Sequence, residues 1–327
     1  MKILYAFQGT GNGHVSRARE LVPLLEQHAE VDILVSGTHS EVGLGRPILI
    51  KRHGMGFQFG KNGGVDLWSS IKKFRPLRFI RDVRDLPLHP YDLILNDFEP
   101  VSAYAAKRIG REVHAISHQA AFLSDQSPRP QHIRSPFAEW LFRNYAPSSS
   151  QTAFHFQAYD TFIHTPVIRS EVRALRPAKN GHITVYLPAY GDKQLVKHFQ
   201  KLKAMEWHLF SKHYNEPTKV QNVWIRPVNN QAFLESLHTA NGLLTGGGFE
   251  SPAEALFLGK KLFVVPMHNQ FEQQCNAAAL KQMGIPVTLK ITSRFAEHLQ
   301  AWLHESHETR VHFPDNSHDI IQNIVNS

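Results

Sequence analysis

Short apolar runs rich in Val, Ile and Leu alternate along the chain with longer amphipathic stretches of helical length. This alternation is typical of βαβ units, whose parallel strands are buried on both faces. It predicts a first series of strands over Lys2–Gln8, Val31–Gly37, Asp92–Asp97 and Val113–Ser117. A second series follows with the same rhythm, over Ile183–Leu187, Trp207–Ser211, Val220–Ile225, Gly242–Thr245 and Leu262–Pro266. The predicted fold class is therefore α/β, with two doubly wound, Rossmann-like parallel sheets.

The chain is long enough for two hydrophobic cores, because single cores stop growing at about 250 to 300 residues and this chain has 327. Between the two strand series lie Ala146–Ser150, which has no clear period, and Phe162–Pro166, an apolar stretch typical of a strand that enters a linker. We predict a first domain over residues 1–164 and a second over 165–304. Residues 305–327 form a helical tail, for which packing back on the first domain is one arrangement. Since open α/β sheets bind ligands at the carboxyl ends of their strands, the expected site is the cleft between the domains.

Composition narrows the class of protein and its location. The single cysteine, Cys275, excludes an intramolecular disulfide framework and fits a reducing cytoplasm. No run approaches the ~18 apolar residues of a membrane span, so we expect a cytoplasmic protein whose membrane contact, if it has one, is peripheral. The net charge of +8 favours acidic partners such as nucleotides and phospholipids. Nucleic acid is disfavoured as a partner because no aromatic stacking motif accompanies the basic residues.

A glycine-rich loop follows the first predicted strand. Gly9, Gly11 and Gly13 let backbone N–H groups approach a ligand, and the N-terminus of the next helix attracts an anion. The spacing lacks the third glycine of the dinucleotide-binding pattern, so a nicotinamide cofactor is disfavoured. The candidate acceptor or phosphate loop is Gly11, Asn12 and Gly13, and a tight turn without a ligand is the alternative. His14 follows, and its imidazole suits a general base near neutral pH, although a structural role is the usual one for a lone histidine.

An acidic loop ends the predicted strand Asp92–Asp97. Asp97 lies at the carboxyl end of this strand, where its carboxylate could bind the far ring nitrogen of His14 and orient it, as in a catalytic dyad. The alternative is that Asp97 or Glu99 caps the helix that follows, since acidic residues favour helix starts. Taken alone, the sequence gives the two interpretations equal weight.

The most informative segment is Thr245–Asn276. It opens with Gly246–Gly248 directly after a predicted strand, and consecutive glycines expose backbone amides. Ser251 adds a hydroxyl donor, and Pro252 suits the first turn of a helix. These features together describe a cradle for a diphosphate, and Glu254, one turn into the helix, could reach outward to a ribose diol.

The same segment ends in a polar loop after the strand that reaches Pro266. Glu272, Gln273 and Asn276 offer the carboxylate and amide groups that hydrogen-bond to sugar hydroxyls. A solvated face at the start of a helix is the alternative for these three residues.

The segment Thr245–Asn276 resembles the donor signature of GT-B glycosyltransferases, especially the UDP-glycosyltransferases and the bacterial lipid II N-acetylglucosaminyltransferase. The residues that match the UDP-glycosyltransferase pattern in order are Ser251, Glu254, Pro266, Glu272, Gln273, Asn276 and Ala277. Gln231 stands fifteen residues before Gly246, the distance at which the family's proline-glutamine pair precedes its signature histidine. The loop Gly9–Val15 resembles the glycine-rich loop of the lipid II enzyme, and Asp97 matches the aspartate that partners the family's catalytic histidine.

The resemblance implies a GT-B fold and a role for each matching residue. His14 is the base on an acceptor hydroxyl and Asp97 is its partner, in an inverting transfer that requires no metal and no cofactor beyond the nucleotide-diphosphate sugar, which is a co-substrate. The implied donor-binding residues are Val228, Gln231, Gly246, Gly247, Gly248, Phe249, Glu250, Ser251, Glu254, Glu272 and Gln273. The chain departs from the pattern at Gly246, where relatives place a phosphate-contacting histidine, and at Val228, where they stack a tryptophan on uracil. Beside these departures, the resemblance as a whole implies a UDP-sugar donor. The acceptor is a small molecule, glycan or glycolipid that the sequence does not specify.

Other functions remain open at this point. A sugar-nucleotide epimerase of the same two-domain architecture also binds a nucleotide diphosphate. A non-catalytic nucleotide-sugar-binding protein would need the diphosphate cradle but no catalytic residues. The segment Trp68–Arg84 interleaves apolar and basic residues, which favours either peripheral contact with an anionic membrane or a solvated helix with its apolar side in the core.

Overall fold

The computed structural model describes residues 1–37, 43–55, 75–305, 309 and 311–326. Within these residues the chain forms two mostly parallel sheets with helices packed on their faces. The architecture is α/β, as the alternating pattern predicts. Among the residues described, no helix has both the length and the apolar character that crossing a bilayer requires.

The first sheet has the strand order β3-β2-β1-β4-β5-β6-β7, with every neighbouring pair parallel. Strand β1, third in this order, is buried from Ile3 to Gln8, because helices cover the sheet on each side. The strands are β1 Lys2–Gln8, β2 Glu30–Ser36, β3 Ile50–Arg52, β4 Leu93–Asp97, β5 His114–Ser117, β6 Ser150–Phe154 and β7 Ile163–His164. The helices are α1 Asn12–Leu25, α2 Pro76–Arg84, α3 Pro100–Arg108, a 3₁₀ helix Gln119–Leu123 and α4 Pro136–Asn144.

The second sheet has the order β10-β11-β9-β8-β12-β13, and all pairs are parallel except the edge strand β10 with β11. Its strands are β8 His182–Tyr186, β9 Glu206–Ser211, β10 Thr218–Val220, β11 Val223–Pro227, β12 Gly242–Thr245 and β13 Lys261–Val264. The helices of this half are α5 Ser170–Arg173, α6 Asp192–Phe199, α7 Asn230–Thr239, α8 Glu250–Phe257, α9 Phe271–Gln282 and α10 Phe295–His304. A last helix, α11 Ser317–Asn326, lies against α1 of the first half.

The structure corrects the prediction of one continuous strand over Val220–Ile225. The chain turns at Gln221, whose φ of 56° is left-handed, and the two sides pair as the antiparallel hairpin β10–β11. Two strands of the first sheet, β3 and β6, were not predicted. The β6 strand opens with polar residues, Ser150 and Gln151, in a stretch without clear period, so its strand character does not show in the hydrophobic pattern.

The two halves are in direct contact through a shared cluster of buried apolar side chains. This cluster includes Val15 and Phe156 from the first half and Phe249 and Ala253 from the second, all of them buried. The N-termini of α1 and α8 therefore face the same cleft. Residues 68–74 of the basic segment lie outside the described residues, whereas its remainder forms helix α2.

Candidate active site

A histidine and an aspartate meet at the carboxyl edge of the first sheet. β1 and β4 are neighbours, and Phe7 is in register with Asp97, so the loop after β1 passes the end of β4. The chain leaves β1 through Gly11, whose φ of 98° is left-handed, and helix α1 begins at Asn12. His14 in the first turn then places Nδ1 2.8 Å from Oδ1 of Asp97, which is fully buried.

A buried arginine completes this pair. Arg17, one turn along α1, donates from one terminal nitrogen to both carboxylate oxygens of Asp97, at 2.8 Å each. Burial by itself would raise the pKa of Asp97, but the adjacent charge of Arg17, together with His14, holds that pKa below its ordinary value. Asp97 is therefore a carboxylate, and the His14 nitrogen that faces it must carry the proton. The other ring nitrogen, Nε2, is left with an available lone pair.

The capping role falls to Glu99 alone. Its side chain accepts hydrogen bonds from the backbone N–H of Val101 at 2.8 Å and of Ser102 at 2.6 Å, at the start of α3. Phe98 lies between the two acids with a left-handed φ of 54°, and this conformation turns the two carboxylates to different partners. The structure thus separates the two interpretations of the acidic loop: Asp97 pairs with His14, and Glu99 caps the helix.

The donor-side loop is held from behind by α9. The backbone N–H of Gly247 donates to Oε1 of Gln273 at 3.2 Å, and the side-chain amide of Asn276 donates to the carbonyl of Gly247 at 3.0 Å. A Cβ on Gly247 would lie 2.4 Å from the backbone oxygen of Gln273, so only glycine fits there. The Gly247 amide is therefore occupied in this structure, and the expectation that all three glycines present free amides is wrong for that position.

Helix α8 starts at the cleft without a side-chain cap. Its first residues, Glu250 and Ser251, line an open cavity of about 760 Å³. Asn12 and Gly13 of α1 line the same cavity. An uncapped helix N-terminus carries unpaired N–H groups and a partial positive charge, which together suit an anion. Further lining comes from Ser16, Arg19, Arg169, Tyr186, Phe210, Lys212, Tyr214, Asn215, Val228, Asn229, Asn230, Phe233 and Glu254.

Three predicted donor contacts are placed differently from expectation. Glu254 does not reach outward: it is buried, and its two carboxylate oxygens accept from Arg169 at 2.5 and 2.8 Å. Burial raises the pKa of Glu254, against the opposing charge of Arg169. Phe249 is also buried, because its ring stacks on His118 at 3.9 Å between centroids and forms part of the wall between the halves. Gln231 is exposed and donates to Glu235 one turn along α7, outside the cavity.

The remaining predicted residues do not all line the cavity, since Glu272, Gly246 and Gly248 are absent from its described lining. Val228 is 36% exposed and lies in the cavity wall. Glu272 accepts from the side chain of Gln119, which belongs to the first half, at 3.2 Å. Gly246 lies near Gln273, and a Cβ on Gly248 would meet nothing within 4 Å.

Arg17 and His118 are site residues that the sequence analysis missed. Arg17 follows His14 by one helical turn, so helical spacing could have drawn attention to it. His118 follows the carboxyl end of β5, and its Nε2 lies 2.9 Å from Oδ1 of Asn276 across the cleft. Burial lowers the pKa of His118. No group of three or more His, Cys, Asp or Glu side chains comes together as a metal site in the described part of the chain.

Comparison with known proteins identifies the family. The family profile described as Glycosyl transferase family 1 matches residues 1–305. A comparison with curated protein sequences gives no match.

Solved structures share the fold over the whole chain. MurG of Acinetobacter baumannii is 16% identical with a TM-score of 0.62, and the match covers 100% of this chain and 99% of that one. UGT89C1 of Arabidopsis thaliana, complexed with UDP-L-rhamnose, is 14% identical with a TM-score of 0.62, over 99% and 93% of the two chains. The spinosyn rhamnosyltransferase SpnG, complexed with thymidine diphosphate, is 14% identical with a TM-score of 0.59, over 100% and 96%. The fold is therefore GT-B, as the donor-signature resemblance implies.

Proposed function

The chain belongs to glycosyl transferase family 1 and is a glycosyltransferase that uses a nucleotide-sugar donor, and from that premise we propose an inverting, metal-independent transfer from a UDP-sugar to an acceptor hydroxyl. The observation that carries the proposal is the buried pair His14–Asp97, which Arg17 joins to Glu250 at the uncapped N-terminus of α8. One side of the cleft thus offers a base, and the other offers a site for a leaving anion.

The base acts through the free nitrogen of His14. Its Nδ1–H donates to Asp97, so Nε2 takes the proton from the acceptor hydroxyl. The acceptor oxygen then forms a bond to the anomeric carbon as the bond from that carbon to the diphosphate oxygen breaks. The diphosphate leaves with the bonding electrons, and attack from the opposite face inverts the configuration at the anomeric carbon.

The leaving diphosphate is stabilised by the start of α8 and by nearby cations. The free N–H groups of the first turn, the hydroxyl of Ser251 and the guanidinium of Arg19 lie along the cavity. Such preorganised donors stabilise charge that develops in the transition state without a metal ion. We expect chelation with EDTA to leave the rate unchanged, and a loss of activity that Mg²⁺ restores would contradict metal independence.

The proposal extends to the donor base and to the transferred sugar. In the proposed complex Val228 packs against the nucleobase. Glu254 is engaged by Arg169 and receives no donor contact in this proposal. Glu272 and Gln273 bind the transferred sugar. UGT89C1 complexed with UDP-L-rhamnose and SpnG complexed with thymidine diphosphate both hold a pyrimidine nucleoside diphosphate, which supports UDP as the donor nucleotide.

The test replaces the base and measures binding separately from turnover. His14→Ala is expected to lower kcat by about 10²- to 10⁴-fold, the usual contribution of a general base. The dissociation constant for UDP, measured by calorimetry, should change little because the imidazole contacts the acceptor. The control is His89→Ala, which alters an exposed loop. Unchanged turnover in His14→Ala would remove the mechanism, and sugar isomerisation without an acceptor would instead indicate an epimerase.

We also propose that helix α2 contacts an anionic membrane. Leu77 and Ile80 are 81% and 60% exposed, and together with Arg81 and Arg84 they form one stripe at helical spacing on the outer face. The apolar side chains of this helix that face the core are Val83, which is buried, and Phe79, which packs against the same cluster. Large apolar residues that face outward among arginines suit the headgroup region of an anionic bilayer.

Helix α4 extends this surface. Phe137 and Trp140 are 49% and 54% exposed and stack on each other at 6.1 Å. Tyr104 connects the two helices, because its ring meets the edge of Phe79 on α2 and its hydroxyl donates to the carbonyl of Asn144 at the end of α4. Both helices therefore contact Tyr104 of α3, and both carry exposed apolar side chains in the same half of the molecule.

Vesicle flotation tests the membrane contact. The protein is expected to float with vesicles rich in phosphatidylglycerol and not with vesicles of phosphatidylcholine alone. The double variant Leu77→Ser/Ile80→Ser should lose this binding, whereas Leu49→Ser, which alters an equally exposed leucine outside the surface, should keep it. Equal absence from both kinds of vesicle would contradict the proposal.

A further inference from the structure

A row of four ionisable side chains crosses the cleft at the candidate base. His14 contacts Asp97, Asp97 contacts Arg17, and a second terminal nitrogen of Arg17 donates to Oε1 of Glu250 at 2.9 Å. The first three residues belong to the first half of the molecule, and Glu250 opens helix α8 of the second. Arg17 is thus shared between two carboxylates, one from each half.

The carboxylate of Glu250 packs closely against Gly13 in the first turn of α1. A Cβ on Gly13 would lie 2.5 Å from both carboxylate oxygens of Glu250, so the glycine leaves the space that this carboxylate occupies. Arg17 is almost fully buried, with a side chain 4% exposed, and that of Glu250 is 30% exposed. A buried guanidinium between two carboxylates transmits a change at one of them to the other, because charges interact strongly where water is scarce.

The charges have opposite effects on the protonated imidazole. Asp97 stabilises an imidazolium at His14, Arg17 opposes it, and Glu250 partly cancels Arg17. Without the negative charge of Glu250, the guanidinium would act on the dyad uncompensated, and His14 would be a weaker base. Glu250 therefore matters to a residue that it does not touch in the described contacts.

We propose that Glu250 of the donor half, acting through Arg17, sets the basicity of His14 in the acceptor half. Glu250 and Arg17 are positioning residues in this arrangement, since Glu250 acts through Arg17 and Arg17 acts through Asp97. The inference rests on the proposed role of His14 as the base. It adds a reason for the Arg17–Glu250 ion pair, which donor binding alone does not explain.

Other ionisable groups near the dyad are accounted for. Tyr5 on β1 lies close enough to interact with Asp97 and Arg17, and burial raises its pKa well above the ordinary value, so it stays neutral at physiological pH. His118, after β5, interacts with Arg17 and Glu250, and burial lowers its pKa. Neither group supplies a charge that could replace that of Glu250.

The first measurement is the pH dependence of kcat/KM in Glu250→Gln, which keeps the shape of the side chain and removes its charge. The acidic limb of the profile is expected to move to lower pH by about half a unit, the size of effect that one partly exposed charge has a few ångströms away. Arg17→Gln should move the limb in the opposite direction. The control is Glu112→Gln, which removes an exposed charge just before the amino-terminal end of β5.

The second measurement does not require turnover. Ring ¹⁵N NMR follows the protonation midpoint of His14, whose signal is located by its absence in His14→Gln, and the midpoint should fall in Glu250→Gln. A midpoint that does not move overturns the relay. A midpoint that moves while the pH profile does not would preserve the relay and show that His14 is not the base, so failure of the proposed function is distinguishable.

Discussion

Two carboxylates at the end of one strand have different functions because of their neighbours. Asp97 is enclosed by His14 and Arg17, so its charge is neutralised by cationic donors from α1. Glu99 has only hydroxyl and amide donors around it, and burial raises its pKa. A charged orienting group needs the first environment, and a helix cap is satisfied by the second.

Exchange of each acid for its amide should separate these roles. Asp97→Asn is expected to lower kcat by about 10²- to 10⁴-fold, because an amide favours the wrong tautomer of His14. Glu99→Gln should keep kcat within a few-fold and lower the free energy of unfolding by about 1 to 2 kcal/mol through the weakened cap. Steady-state kinetics and urea unfolding provide both numbers. An inactive Glu99→Gln beside an active Asp97→Asn would reverse the assignment.

The lowered pKa of Asp97 also predicts how stability depends on pH. A carboxyl group whose pKa is lower in the folded state than in the unfolded state binds fewer protons when folded. Its contribution to stability is present above the unfolded value of 3.8 and is lost as the pH falls through the folded value. Below pH 3.8 the free energy of unfolding should therefore fall less steeply in Asp97→Asn than in the wild type. Equal slopes in urea titrations would show that Asp97 is not ionised against Arg17.

At the scale of elements, the donor loop depends on a helix that follows it in sequence. Gly247 packs against the backbone of Gln273, whereas the neighbouring Gly248 is open. Gly247→Ala is expected to lower the free energy of unfolding by about 1 to 3 kcal/mol, because the Cβ meets backbone that cannot move aside. Gly248→Ala, one position on, should change it by less than about 0.5 kcal/mol. A loss of similar size in both variants would mean that loop flexibility, and not the contact with α9, determines the effect.

The sequence predicts a site residue well where secondary structure alone fixes its position. It fails where a contact between distant parts of the chain fixes that position. Most strands followed from hydrophobic runs, and the approach of His14 to Asp97 followed from two neighbouring strand ends. The hairpin at Gln221 was missed because a left-handed turn at a glutamine has no compositional signal. Glu254 is paired with Arg169, and Phe249 is stacked on His118. The partners in each contact are 85 residues or more apart in sequence, so the local sequence pattern could not predict either contact.

At the scale of the whole molecule, helix α1 is where both halves and the chain terminus meet. It carries His14 and Arg17 toward the cleft, and the C-terminal helix α11 lies along it. Ile320, Ile321 and Ile324 of α11 are buried in the cluster that also contains apolar residues of α1. The last helix of the chain therefore supports the helix that bears the candidate base.

Truncation of one buried side chain in α11 tests this support. Ile321 is fully buried, and Ile321→Ala is expected to lower the free energy of unfolding by about 2 to 5 kcal/mol, the cost of a large-to-small change in a packed core. Ile109→Ala, at a partly exposed isoleucine after α3, should change it by less than about 1 kcal/mol. Because α11 packs on α1, the loss should appear in the main cooperative transition seen by urea unfolding. An early, separate transition with the main one unchanged would mean that α11 is detachable and that α1 holds the dyad without it.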